Sequence, residues 1–304
     1  MKKITTILLL TLLIAPNLWA QTPFDFQMMG KGEACVFAQY SHTSWKEYWE
    51  GKLLRENLNL GTVSTQSYTV TAVAGIGKNT NLFVSLPFVK TQASAGQLMG
   101  QSGIQDLSAM VKLRLVNKPN GFKMLALIGG TAPIGNYVPD FMPMSIGMQS
   151  KTFTARIIAA YKTNIGLYVN GSADYTVRSK IKIDKDAYQY DGKIYNTNVV
   201  PVPNSTAVTA HLGYLNPSFQ IEANFVRNVC VSGDDIRRND MPFPTNGMFN
   251  TNIGGFVKYQ PKHIGIQVAY SQVLDGRNFG KGSTYSAGIV YRFAYNKPSN
   301  PIVK

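Results

Sequence analysis

The stretch Gly75–Val89, "GIGKNTNLFVSLPFV", decides the fold. After the turn-forming Lys78-Asn79-Thr80, the apolar residues Leu82, Val84, Leu86 and Phe88 recur at every second position, the period of one face of a strand. Before the turn, Tyr68, Val70, Ala72, Ala74 and Ile76 alternate with Ser67, Thr69, Thr71, Val73 and Gly75. The two runs make a hairpin with one apolar face, which must meet either a protein core or lipid.

Outward from this hairpin, period-two alternation and turn residues divide the chain into about twelve strand-like runs. They lie near residues 34–48, 64–77, 81–92, 104–116, 122–135, 150–162, 167–183, 205–215, 218–232, 249–260, 264–275 and 284–295. Short spacers such as "KNT", "NKPNG", "TNIG", "NP" and "PKH" alternate with long ones, among them "NYVPDFMPMSIGMQ" and "DDIRRNDMPFPTNGM", and a moderate "GRNFGKGS" comes last. A soluble sandwich has no reason for that rhythm. An up-and-down transmembrane β-barrel does, because its periplasmic turns are short and its extracellular loops long.

The inner faces carry the same message. In "DLSAMVKLRL", Leu107, Ala109, Val111, Leu113 and Leu115 oppose Asp106, Ser108, Met110, Lys112 and Arg114. Charged side chains facing a sandwich core would be costly, whereas a wet lumen tolerates them. The fold expected is therefore all-β, a transmembrane antiparallel up-and-down barrel of about 12 strands whose opening hairpin faces lipid, with closure satisfying every backbone group. Trp45, Tyr48 and Trp49 near the outer end of the first strand, and Tyr291 and Phe293 near the inner end of the last, are expected to form the aromatic girdles.

The chain's start fits export. "MKKITTILLLTLLIAPNLWAQ" has two lysines, an apolar run from Ile7 to Ile14 and a small residue before Gln21, so residues 1–20 read as a signal peptide. No later apolar run is long enough for a spanning helix. Residues 21–33 read as a periplasmic lead-in, with tucking inside the barrel as the other possibility, 34–295 as the barrel and 296–304 as a periplasmic tail. The net charge is +14 over 304 residues, two units less once Lys2 and Lys3 leave with the signal. Export and the dispersal of these charges argue against nucleic acid as a partner. They fit a barrel in contact with outer-membrane lipid and lipopolysaccharide, in a Gram-negative bacterium. Only two cysteines occur, and the strand order sets Cys35 and Cys230 at opposite ends of the membrane, out of disulfide reach.

"GIGKNTNLFVSLPFV", "SGIQDLSAMVKLRL" and "GGTAPIGNY", in that order, resemble the successive signatures of the outer-membrane barrels classed as phenol meta-pathway transporter-like proteins, distant relatives of the long-chain fatty acid channel. The resemblance runs from about Met28 to Phe293. It departs at Gln105, where the family's G-L-G-D-L pattern has its second glycine, and at Ala132-Pro133-Ile134-Gly135, looser than the family's P-T-G. It implies uptake of small hydrophobic or aromatic molecules. The glycines form no P-loop or dinucleotide pattern, so no cofactor is expected.

Alternation turns Asp106, Lys112, Arg114, Arg156, Lys162, Asp174, Arg178, Glu222, Lys258 and Arg292 inward, with Asn170, Asn224 and Gln267. The pore-lining candidates among them are Asp106, Lys112, Arg114, Arg156, Asp174, Arg178, Glu222 and Arg292. They describe either a lumen that admits small solutes, with a mild preference for anions or polarisable molecules, or a narrow barrel filled by its own ion pairs. Tyr137, Phe141, Met142 and Met144 in a long loop suit an adaptable extracellular mouth, or simply loop packing over the barrel. His42 and Ser44 share an outward face, as in an outer-membrane phospholipase, but the Asn-Gly that follows Ser there is replaced by Trp45-Lys46. His211 and His263 lack neighbours at metal-ligand spacing. The expectation is a channel rather than an enzyme, with no catalytic residue and no metal. A non-conducting structural or surface-interaction barrel is the alternative.

Overall fold

The computed structural model describes residues 25–238 and 240–296. The proposed signal peptide, residues 21–24 and all but Asn296 of the proposed tail lie outside the described residues. Twelve long strands carry the architecture: β1 (Glu33–Glu50), β2 (Val63–Gly77), β3 (Thr80–Ala93), β4 (Asp106–Asn117), β5 (Phe122–Pro133), β6 (Thr152–Lys162), β7 (Leu167–Arg178), β8 (Ser205–Leu215), β9 (Phe219–Cys230), β10 (Phe249–Tyr259), β11 (Ile264–Arg277) and β12 (Gly280–Ala294). Each pairs antiparallel with its sequence neighbour, and β12 returns to β1 from Ala294 opposite Glu33 to Gly280 opposite Tyr48. The sheet is thus a closed 12-stranded barrel, as the alternation predicts, and closure leaves no unpaired edge facing lipid.

The opening hairpin is β2–β3, in register from Val63 opposite Ala93 to Gly77 opposite Thr80. Its two faces differ as its sequence dictates. Tyr68 and Val70 are each 52% exposed on the outside, whereas Val73 and Phe83 are each 2% exposed inside. The same contrast runs round the barrel, with Leu212, Ile264 and Ile289 outward and Leu125, Leu127 and Ile158 buried inward. The apolar face therefore meets lipid.

One outward row marks the outer membrane boundary. Tyr40, Tyr68 and Phe88 lie side by side across β1, β2 and β3, with the rings of Tyr40 and Tyr68 5.1 Å apart. Tyr270 and Tyr285 continue the row on β11 and β12 at 4.9 Å. Near the other end, Tyr291 and Phe293 stack at 5.8 Å, as expected. The expectation for Trp45, Tyr48 and Trp49 needs correction. Trp45 lies on the inward side of β1, a bulge between Trp45 and Glu47 changes the parity so that Tyr48 also points inward, and Trp49 is buried over Gly276.

A second correction concerns residues 21–33. The described part, from Asp25, does not trail into the periplasm but tucks into that end of the lumen, with Phe26 and Met29 only 2% and 1% exposed. The chain enters past β2, where Gly32 N–H donates to Gly75 O at 2.9 Å. A Cβ on Gly75 would stand 2.0 Å from the carbonyl oxygen of Gly30, so only glycine admits the crossing. The third correction is "GRNFGKGS". The strands run almost to its centre and leave a two-residue turn, Asn278-Phe279, with Asn278 at φ 51°.

Candidate functional site

The inserted segment closes the periplasmic half of the lumen through three kinds of contact. Lys112, fully buried on β4, donates from Nζ to Asp25 O at 2.9 Å, Asp25 Oδ1 at 3.2 Å and Gln27 O at 3.4 Å, and lies 4.9 Å from the centre of the Phe83 ring. Phe26 packs among Leu125, Ile158, Ala160, Tyr168 and Leu215, while Met29 joins Cys35, Val73, Phe83 and Val290. Gln27 Nε2 donates to Gln220 Oε1 at 3.1 Å. From there a hydrogen-bonded series climbs the wall. Gln220 donates to Tyr168 OH at 2.9 Å, Tyr168 OH donates to Glu222 Oε2 at 2.7 Å, and Glu222 Oε1 meets His211 Nδ1 at 2.7 Å. His211 Nε2 lies 3.0 Å from Thr209 Oγ1, which in turn contacts Ser172 at 2.8 Å.

Above this series the lumen opens into a central cavity of about 290 Å³. Ala207, Val226 and Phe256 give it an apolar wall, and its polar lining includes Arg156, His211, Glu222, Asn224, Asn228 and Gln267. Most of those polar groups are committed to one another. Arg156 is paired across the β6–β7 ladder with Asp174, and Asn228 donates to Asn250 at 2.9 Å.

A second cavity, about 300 Å³, sits at the extracellular end. Trp45 and Tyr48 of β1, Val273 of β11 and Phe279 meet Met142 and Pro143 from the loop after β5, and Ile236, Pro242 and Met248 from the loop after β9. Asn278 pins the two sides of this mouth together. Its Oδ1 accepts from the N–H of Gly51 at 2.9 Å and of Ile236 at 3.1 Å, and its Nδ2 donates to Gly247 O at 2.7 Å. Arg277 beside it forms a two-pronged pair with Asp235 at 2.6 and 2.7 Å, whose hydrogen bonds hold the Asp235 carboxyl below the ordinary carboxylate range.

The residues singled out from the sequence fall into three groups. Lys112, Arg156, Asp174, Glu222 and Arg292 point inward and are tied up there, Arg292 with Glu33 at 2.5 Å. Arg114 also faces the lumen side, near its periplasmic end, while at the outer end Asp106 accepts a hydrogen bond from Tyr137 OH at 2.5 Å and Arg178 donates to Pro203 O at 2.8 Å. Of the loop residues, Met142 lines the mouth cavity and Phe141 is 36% exposed. Tyr137 and Met144 are buried within the folded loop. Burial and the adjacent Asp106 push the Tyr137 hydroxyl above the ordinary tyrosine range, and it accepts from Gln149 N–H at 3.0 Å.

Sequence reasoning offered the tucking of residues 21–33 as an alternative but missed the contacts of Asp25, Phe26 and Gln27, the inward turn of Trp45 and Tyr48, and the His211–Glu222 contact. The last was within reach, because the β8–β9 register sets Glu222 opposite Gly213, two residues from His211. His42 and Ser44 lie outward in cross-strand register with Gln66 and Ser64 on one side and Tyr285 and Ser283 on the other. Among the described residues, no group of three His, Cys, Asp or Glu side chains is placed to hold a metal.

The fold matches a solved outer-membrane channel. An outer-membrane channel from Pseudomonas putida F1 superposes with a TM-score of 0.71 at 15% identity, over 90% of this chain and all of that one. The NanC porin gives 0.48 at 9% identity over 85% of this chain and 98% of its own, and a mutant of the TodX monoaromatic hydrocarbon channel 0.49 at 11% over 90% and 93%. No curated protein matches the sequence. The family model described as "Putative MetA-pathway of phenol degradation" matches residues 38–289, nearly the whole barrel, and the chain belongs to that family.

Proposed function

We propose that this barrel passes small hydrophobic or aromatic molecules across the outer membrane, and that its mouth cavity is where they are taken up. The observation that carries the reading is the convergence of Trp45, Tyr48, Met142, Met248, Val273 and Phe279 on one space at the solvent-facing end of the barrel. Aromatic and methionine side chains from two loops and a rigid wall give an adaptable apolar site, and burying an apolar ring there removes it from water. The family's description, which concerns phenol degradation, is consistent with such a solute. Little charge selection is expected from Lys112, Arg156, Glu222 and Arg292, which are spent on partners within the protein.

Outside, His42, Gln66 and Lys90 lie in register just above the Tyr40, Tyr68 and Phe88 row, a polar band suited to the phosphate and sugar groups of lipopolysaccharide. No catalytic role is assigned. Thr209, His211 and Glu222 form a hydroxyl, imidazole and carboxylate series, but the backbone N–H groups of β8 and β9 belong to the ladder and none is left to stabilise an oxyanion.

The inserted segment favours the rival reading of a barrel that does not conduct, since Phe26 and Met29 seal one end. Reconstitution decides between them. The full chain in liposomes should admit toluene, with Trp45→Ala plus Met142→Ala lowering the uptake rate roughly tenfold at limiting solute, by loss of about 1.4 kcal/mol of apolar contact. Absence of both solute flux and bilayer conductance would leave the non-conducting barrel.

A further inference from the structure

The central cavity contains two polar side chains of a different kind from the rest. His211 and Glu222 have their hydrogen-bonding atoms taken by Thr209, Tyr168 and each other, Arg156 is paired with Asp174, and Asn228 is bonded to Asn250. Asn224 on β9 and Gln267 on β11 also line the cavity, and among the described residues neither amide has a hydrogen-bond partner. The residue opposite Asn224 on β10 is Gly254, which has no side chain, and the one opposite it on β8 is His211, whose ring nitrogens are taken by Glu222 and Thr209. Phe256, Val226 and Ala207 line the same cavity.

From this we infer that the central cavity is a second solute subsite, selective for an uncharged molecule with an apolar body and a hydroxyl or carbonyl group, which Asn224 and Gln267 recognise. An amide offers both a donor and an acceptor, so it pairs with a neutral hydroxyl or carbonyl without needing a countercharge. Arg156 is paired with Asp174, and Glu222 accepts from Tyr168 OH and meets His211, so the charged side chains that line the cavity already have partners within the protein and offer little to a charged solute. A pure hydrocarbon would fill the apolar side but leave the two amides stripped of water and unpaired, at a cost comparable to a lost hydrogen bond. The volume, about 290 Å³, is at the small end for ligand pockets and suits a single substituted ring. The inference rests on the channel reading for its biological meaning, but the binding it claims does not.

The test uses three molecules with one ring in common: toluene, benzyl alcohol and benzoate. Binding to the full chain in detergent is measured by calorimetry, and flux is measured in liposomes. Benzyl alcohol should bind more tightly than toluene or benzoate at the central site. Asn224→Leu and Gln267→Leu should each weaken it roughly fivefold, while toluene binding stays unchanged or improves. Retained heat-modifiable migration on gels verifies that each variant is a folded barrel. Equal binding of toluene and benzyl alcohol, or equal loss of both in the variants, overturns the subsite. So does preferred binding of benzoate. Binding that follows the expected pattern without flux of any of the three supports the subsite and removes the channel reading. Flux with no dependence on Asn224 or Gln267 does the reverse.

Discussion

Replacing Lys112 by methionine should release the inserted N-terminal segment. The substitution keeps the length and volume of the side chain but removes three hydrogen bonds, to Asp25 O, Asp25 Oδ1 and Gln27 O, and leaves the Asp25 carboxylate, whose side chain is 9% exposed, without its cation. Burial of Phe26 and Met29 contributes about 3–6 kcal/mol together. The Gln27–Gln220 bond adds about 1 kcal/mol. The Lys112 contacts add about 3 kcal/mol, the lower end of what breaking a buried ion pair costs. Against this, fixing the backbone of the five residues from Asp25 to Met29 costs about 5–10 kcal/mol. Gains and costs agree to within a few kcal/mol, so the segment is held by a margin comparable to the Lys112 term itself.

Loss of about 3 kcal/mol shifts the equilibrium between inserted and released forms roughly a hundredfold. The assay is maleimide labelling of Gln27→Cys in a background with Cys35→Ser and Cys230→Ser, with Lys112 intact or replaced. Where opening is fast relative to labelling, the rate follows the open population, so it should rise by about two orders of magnitude in Lys112→Met. Bilayer recordings should show longer open times in the same variant. Equal labelling with and without Lys112 would refute the argument, because it would mean that apolar packing of Phe26 and Met29 alone fixes the segment.

Two further outcomes concern the loops. Tyr137→Phe should loosen the loop after β5 by about 1–3 kcal/mol, since Asp106 loses a donor and Gln149 N–H an acceptor, and limited proteolysis between Ile134 and Ser150 should quicken. The intact loop should hold to about pH 10 and loosen above it. The folded state keeps the Tyr137 proton when the unfolded loop, with the ordinary value of 10.0, would release it, so stability present below that pH is lost as pH rises. At the mouth, the Asp235–Arg277 pair works with the opposite sign. It supports loop order above the ordinary aspartate value of 3.8 and loses that support as pH falls through the lowered folded value, so Arg277→Gln should return the Asp235 carboxyl to the ordinary range, read by carbon NMR of labelled aspartate in nanodiscs.

The parts of this molecule that could be read from its sequence are those whose physics is local. Alternation over ten or more residues places Leu107, Val111 and Leu115 on one side of β4 and Asp106, Lys112 and Arg114 on the other, because each residue's face depends only on counting from its neighbour. Counting fails where the chain adds a residue. Strict alternation from Val36, Ala38 and Tyr40 already turns Trp45 inward, and reading it as a girdle residue puts side-chain type ahead of parity. Tyr48 could not be placed by any count, because the bulge after Trp45 intervenes. The inserted segment could be raised from the sequence only as an alternative, for a different reason. Five residues show no period, and what holds them is far away in the chain, Lys112 being 87 residues from Asp25 and Gln220 193 residues from Gln27. The two cavities likewise exist only after closure, since β1, β11 and two loops meet at the mouth, and β6, β8, β9, β10 and β11 at the centre. Inward facing is therefore a property of a strand, whereas being free to touch a solute depends on what the opposite wall has already claimed. That is why the charged residues, the strongest signal in the sequence, are tied to partners within the protein, while Asn224 and Gln267, two amides that alternation also turns inward, line the central cavity.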